Sequence, residues 1–101
     1  MNPDRALDLI RRHEAELRQL GVVRLALFGS TARGEAGPHS DIDVAVTLDA
    51  RITGLRAFGC LDRVKERLAL LLNAPVDVVP EPASSSPLQA AIDKDRRLAF
   101  A

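Results

Sequence analysis

The chain has 101 residues, 47% of them apolar, and its 14 acidic and 14 basic side chains cancel. That length predicts one domain spanning residues 1–101 with enough apolar side chains for a core. Zero net charge argues against a generic nucleic-acid binder, and three Phe with no Trp or Tyr argue against a base-stacking platform. No apolar run approaches the ~18 residues that would suggest a membrane span. The charged N-terminus does not look like a signal peptide. The lone cysteine, Cys60, lies in an apolar region and predicts a small core residue in a cytoplasmic protein.

Asn2-Pro3 is an N-cap followed by proline at the first helical position. Leu7, Ile10, Leu17 and Leu20 follow near helical spacing up to Gly21, so residues 3–20 are expected as one helix. Residues 22–28, VVRLALF, suit a buried strand. A short helix is expected from Ser30 to about Arg33, and Gly37-Pro38 marks a turn within the loop 34–39. Residues 41–48, DIDVAVTL, alternate. Ile42, Val44, Val46 and Leu48 point to a core, and Asp41, Asp43, Ala45 and Thr47 to a polar face. Leu55, Phe58, Leu61, Val64, Leu68, Leu71 and Leu72 form a helical stripe over 55–72, with Leu70 off it. Asn73-Ala74-Pro75 ends that helix. Residues 76–79, VDVV, form a strand closed by Pro80. Ser86-Pro87-Leu88-Gln89 has the form of an N-cap, a first-turn proline and a capping-box glutamine, opening a last helix over 87–99. The expected class is therefore α+β, in the order α-β-α-β-α-β-α, with a small mixed sheet packed by helices.

The informative stretch is LALFGSTARGEAGPHSDIDVAVTLD. Alternation places the carboxylates of Asp41 and Asp43 on one strand face. Hard oxygen ligands at that spacing suit Mg²⁺, which keeps several waters and takes one or two carboxylates plus phosphate oxygens. A pair of such ions clamps the attacking and leaving oxygens of an in-line displacement. Asp77, alone among valines, is the candidate third carboxylate, because a strand aspartate without a basic neighbour needs a partner. Gly29-Ser30 after a strand suits a phosphate cradle, since glycine admits close backbone approach and the serine hydroxyl donates to anionic oxygens. Arg33 has two equally weighted roles: contact with phosphate, or pairing with an aspartate to pin the loop. Ser40 is a candidate at the nucleotide site whose favoured role is to orient the loop or cap the strand. His39 is expected to be exposed in the loop, and His13 to have no functional role. The many arginines and lysines on the helices are expected to face solvent.

GSTARG followed by SDIDVAV resembles the nucleotidyltransferase superfamily of DNA polymerase β, and more narrowly the minimal nucleotidyltransferase (MNT) antitoxin-like proteins. The resemblance covers residues 22–80, and the flanking helices fit in order and length. It implies the polymerase-β-like fold, with Gly29 and Ser30 as triphosphate-binding and Asp41, Asp43 and Asp77 as ligands of two Mg²⁺ ions. Asp77 would touch the catalytic metal and help deprotonate the incoming hydroxyl. Thr31 falls at a variable position of the motif. ATP is the implied substrate.

The shortness of the chain predicts that another molecule supplies the acceptor. The resemblance implies a helical HEPN-type toxin as partner, with AMP transferred to one of its tyrosine hydroxyls. Two other functions are compatible with the residues. One is a non-catalytic antitoxin that masks its partner. The other is nucleotide transfer to a small molecule such as an aminoglycoside, against which the lack of an acceptor-holding domain counts.

Overall fold

Asn2 opens the first helix: its side-chain oxygen accepts from the backbone N–H of Asp4 at 2.8 Å. In the computed structural model, which describes residues 1–101, this helix, α1 (Pro3–Arg12), stops at His13 and a separate α2 (Glu14–Gln19) follows. The single helix expected over 3–20 is thus two. No glycine or proline marks the break, and the apolar stripe runs through it, with Ala6, Leu7, Ile10 and Leu17 all buried. Each half delivers one arginine to the far end of the chain. Arg11 donates to the carbonyls of Leu98 and Ala99, both at 2.9 Å. Arg18 donates to the carbonyl of Ala101 at 2.8 Å and lies over the Phe100 ring. These two cations are exposed, as expected of the helix faces, and are also bonded to backbone carbonyls.

The chain continues through β1 (Val22–Phe28), α3 (Gly29–Ala32), β2 (Ile42–Leu48), α4 (Leu55–Leu72), β3 (Val76–Pro80), α5 (Ser86–Asp95) and β4 (Arg97–Phe100). The strands form one sheet in the order β3-β2-β1-β4. β1 is antiparallel to both β2 and β4, and β2 is parallel to β3. The expected mixed sheet is present, with one strand more than expected. Residues 97–100 leave the helix at Arg96, whose ψ of 123° is extended, and pair with the edge of β1. Arg11 and Arg18 occupy carbonyls at and just beyond that new edge, which blunts it against further pairing.

One face of the sheet packs on α1, α2 and α4. Ile42, Val44, Val46, Leu25 and Leu27 meet Ile10, Leu17, Val64, Leu68 and Leu72 there, and Cys60 joins them as the expected small core residue. The stripe of α4 is buried only from Cys60 onward. Leu55 and Phe58 are 87% and 69% exposed, while Leu70 is exposed as expected. α4 ends at Asn73, whose left-handed φ of 51° forms the cap before Pro75.

The other face is only partly open. Phe28, Ala45 and Ile92 form a second small core, with Val79, Ala83 and Leu88 around it. α5 begins after Ser85, one residue before the expected cap, and the Ser85 hydroxyl accepts from Leu88 N–H at 3.3 Å. Gln89 does not cap this helix. It accepts from Ala83 N–H and donates to Glu81, each at 2.8 Å. Ala45, expected on an open polar face, is thus covered. What stays accessible on this side lies at the two ends of the sheet.

Candidate active site

At one of those ends β1 runs out, and β2 and β3 begin. Gly29 turns the chain there with φ +70°, a left-handed conformation that suits glycine. A Cβ on Gly29 would collide with the Oδ2 of Asp43. The glycine therefore lets the backbone lie directly against that carboxylate. α3 is a single turn, closed by Arg33 N–H to Gly29 O at 3.2 Å and Glu35 N–H to Ser30 O at 2.9 Å. Thr31, read as a variable position, is fully buried, and its hydroxyl has no hydrogen-bond partner.

Asp43 is half-buried at the start of β2, and in the parallel pairing it stands directly opposite Asp77. Residues so paired present their side chains to the same sheet face. The third strand therefore brings its lone acid to the other two. Asp41 lies just before β2 and is exposed, as is Asp77. Burial pushes the Asp43 carboxyl above its ordinary value. The nearby charges of Asp77 and then Asp41 push it further, and Arg33 partly offsets them. No hydrogen bond holds the Asp43 carboxylate down. The three carboxylates do not close on one point as a finished cage. Each of the surface cavities is lined by other residues, so the carboxylates sit on an open shelf.

Arg33 stands beside this shelf and is engaged on two sides. Its Nη1 donates to Asp95 Oδ2 at 2.6 Å, and its Nε donates to Glu35 Oε2 at 3.0 Å. The pinning role weighed for it is realised, while its charge still reaches Asp43. The Ser40 hydroxyl accepts from Gly37 N–H at 3.1 Å, and Ser40 N–H donates to Gly37 O, so Ser40 closes the loop turn before β2. His39 is exposed in that loop. His13 sits at the break between α1 and α2, near Glu16 and away from the site. Asp95 and Glu35 were not singled out in the sequence. Asp95 lay inside an expected helix among other charges, and only the packing of α5 against α3 reveals its partner.

The donor set is compatible with a hard divalent cation. It offers carboxylate oxygens only, crowded and without a counter-charge on Asp43 stronger than the shared Arg33, beside a backbone turn where a side chain at Gly29 would collide with Asp43.

A model of the nucleotidyltransferase domain matches residues 10–100. Protein adenylyltransferase MntA of Thermococcus cleftensis is 38% identical over 72 residues, which cover 70% of this chain and 69% of that protein. A solved structure described as a "putative minimal nucleotidyltransferase" superposes with a TM-score of 0.77 at 30% identity, over 96% of this chain and 95% of the other. A chain from the complex of the tri-AMPylated Shewanella oneidensis HEPN toxin with MNT antitoxin matches with a TM-score of 0.65, over 94% of this chain and 72% of that one. At 21% identity that last likeness is one of fold. With nearly its whole length matched, and a minimal relative covered almost end to end, the chain belongs to the nucleotidyltransferase domain family, among its minimal members.

Proposed function

We propose that this protein transfers AMP from ATP to a hydroxyl of a partner protein, a HEPN-type toxin, and so acts as its antitoxin. The observation that carries this is the pairing of Asp43 with Asp77 beside a glycine whose missing side chain opens the backbone to the same carboxylate. The adenylyltransferase name of the Thermococcus relative and the AMPylated toxin in the Shewanella complex support the protein acceptor.

Gly29 and Ser30 receive the β- and γ-phosphates, leaving the α-phosphorus over the carboxylate shelf. The acceptor oxygen attacks that phosphorus in line. Its new P–O bond forms as the bond to the bridging oxygen breaks, and pyrophosphate leaves. A tyrosine hydroxyl is a weak nucleophile near neutral pH, with an ordinary pKa of about 10. We assign the role of taking its proton to Asp77, which is exposed at the shelf edge. Asp41, Asp43 and Asp77 would hold two Mg²⁺ ions, which when bound supply charge stabilisation for the phosphoryl oxygens. Asp43, the most buried of the three, sets the floor of the shelf.

The test uses the protein with α-labelled ATP, Mg²⁺ and the helical protein encoded beside it. Covalent label on the partner, lost in Asp43→Asn, is the expected result. Protection of the partner without nucleotide, unchanged in Asp43→Asn, would replace this function with simple masking. Label on an aminoglycoside but never on the partner would replace it with small-molecule transfer.

A further inference from the structure

Arg33 is held by two carboxylates that are not alike. Asp95 is on the last turn of α5, with only 11% of its side chain exposed, and its contact is the shorter, at 2.6 Å. The helix that carries it is fixed at the next residue, where Arg96 binds Glu81. Glu35 is in the loop after α3, with 65% of its side chain exposed, at 3.0 Å from Arg33 Nε. Arg33 Nη2 donates to neither. Arg33 itself begins the loop immediately after the Gly29–Ala32 turn.

We propose that Asp95 is the fixed anchor of Arg33 and Glu35 its exchangeable partner. On this view Asp95 positions the guanidinium, and the polyphosphate of ATP displaces Glu35 and takes the Nε and Nη2 edge. The inference rests on the nucleotide site proposed above. An arginine fork binds phosphate oxygens through two parallel N–H groups, and Nε with Nη2 is such an edge. Holding Nη1 from a helix keeps that edge aimed and reduces the freedom lost on binding. A solvated loop carboxylate leaves at little cost, because exposed ion pairs contribute about 1 kcal/mol or less. A purely structural clamp would have no use for the asymmetry.

The two acids then act in opposite directions on the same arginine. Binding of Mg-ATP and of AMP to the full chain is measured by titration calorimetry, with no acceptor present. Asp95→Asn is expected to weaken ATP binding by about 5–20-fold while changing AMP binding by less than about twofold. Glu35→Gln is expected to tighten ATP binding by about 2–5-fold, again with AMP little changed. Asp95→Glu is expected to recover part of the loss. A Glu35→Gln protein that binds ATP no better than the parent overturns the proposal, even if Asp95→Asn fails to fold. Equal shifts for ATP and AMP in Asp95→Asn overturn it too, since they mark a structural role. A parent protein that binds ATP no more tightly than AMP removes the nucleotide site itself, and this inference with it. Discrimination by the parent with unchanged ratios in both variants removes only the inference.

Discussion

The two ends of the sheet face beneath α5 hold the same kind of residue in opposite circumstances. At one end Asp43, Asp77 and Asp41 crowd together, and Asp43 is pushed above its ordinary value. At the other, Glu81 accepts two hydrogen bonds from Arg96 at 2.6 and 2.8 Å and one from Gln89 at 2.8 Å, and its pKa falls to about 2. Arg96 also reaches Asp93 at 3.0 Å. Between the two ends lies the small apolar core of Phe28, Ala45 and Ile92. The fold thus completes one acid cluster internally and leaves the other to be completed from outside. An acid satisfied by the chain itself serves stability, while an acid left in repulsion is available for a cation and a phosphate.

The sharpest way to break this contrast is to neutralise one acid at each end. Asp43→Asn is expected to reduce AMP transfer by about 10³-fold or more, because it removes one of the carboxylates proposed to hold the cations that would offset the phosphoryl charge. The same change should leave the thermal midpoint of the free protein equal or higher, since it relieves repulsion, and should abolish the midpoint rise produced by Mg-ATP. Unfolding of the free Asp43→Asn protein at lower temperature than the parent would show that Asp43 has a structural role instead.

Gly29→Ala tests the floor of the same end. The left-handed φ costs an L-residue roughly 1–2 kcal/mol, and the new methyl group also meets Asp43 Oδ2. The expected outcome is a modest loss of stability with a loss of ATP binding of about 100-fold, read by calorimetry. An alanine variant that binds ATP normally would mean that the close approach of backbone and carboxylate is incidental.

At the opposite end, Glu81→Gln is expected to cost about 2 kcal/mol in denaturant unfolding. It leaves the mostly buried Arg96 guanidinium, 18% exposed, short of its main counter-charge. Its transfer rate, measured where the variant is folded, should stay within a few-fold of the parent. A large loss of transfer with little loss of stability would contradict the division of roles between the two ends.

Much of this face was legible in the sequence, and the boundary of what was legible is physical. The strict alternation of DIDVAVTL and the isolated Asp77 were enough to put three acids near one another, because strand periodicity fixes side-chain direction wherever the register holds. The stripe from Val64 to Leu72 was equally plain. β4 was not: Arg97–Phe100 continues a helical-looking run, and it is a strand only because the edge of β1 pairs with it. The break at His13 was hidden as well, since no glycine or proline marks it and the apolar stripe runs through it. Ala45 appeared open because alternation reports which face a residue is on, not whether another helix covers that face. The satisfied end of the face escaped notice because Glu81, Asp93 and Arg96 look like ordinary surface charges, and Gln89 like a helix cap, until α5 is docked.

The smallest expected effect also separates the two ends most cleanly, because its sign differs between them. Glu81 has a folded pKa near 2 against an ordinary 4.5. Its contribution to stability is therefore present above pH 4.5 and fades as pH falls toward 2. Asp43 has a folded pKa raised above 3.8. The folded state then holds a proton that the unfolded state has released, so its contribution is intact below pH 3.8 and is lost as pH rises through the raised value. Denaturant unfolding of the parent, Glu81→Gln and Asp43→Asn at a series of pH values between 3 and 7 reads both. The gap between parent and Glu81→Gln should narrow on acidification. Any advantage of Asp43→Asn over the parent should vanish at the acidic end and open as pH rises. The second gap is expected to be the smaller, since Asp43 is only half-buried and water screens its neighbours. If the stability of the parent relative to each variant moved in the same direction with pH, rather than rising against Glu81→Gln and falling against Asp43→Asn, the two acid clusters would be electrostatically equivalent, and the reason for assigning chemistry to only one of them would be gone.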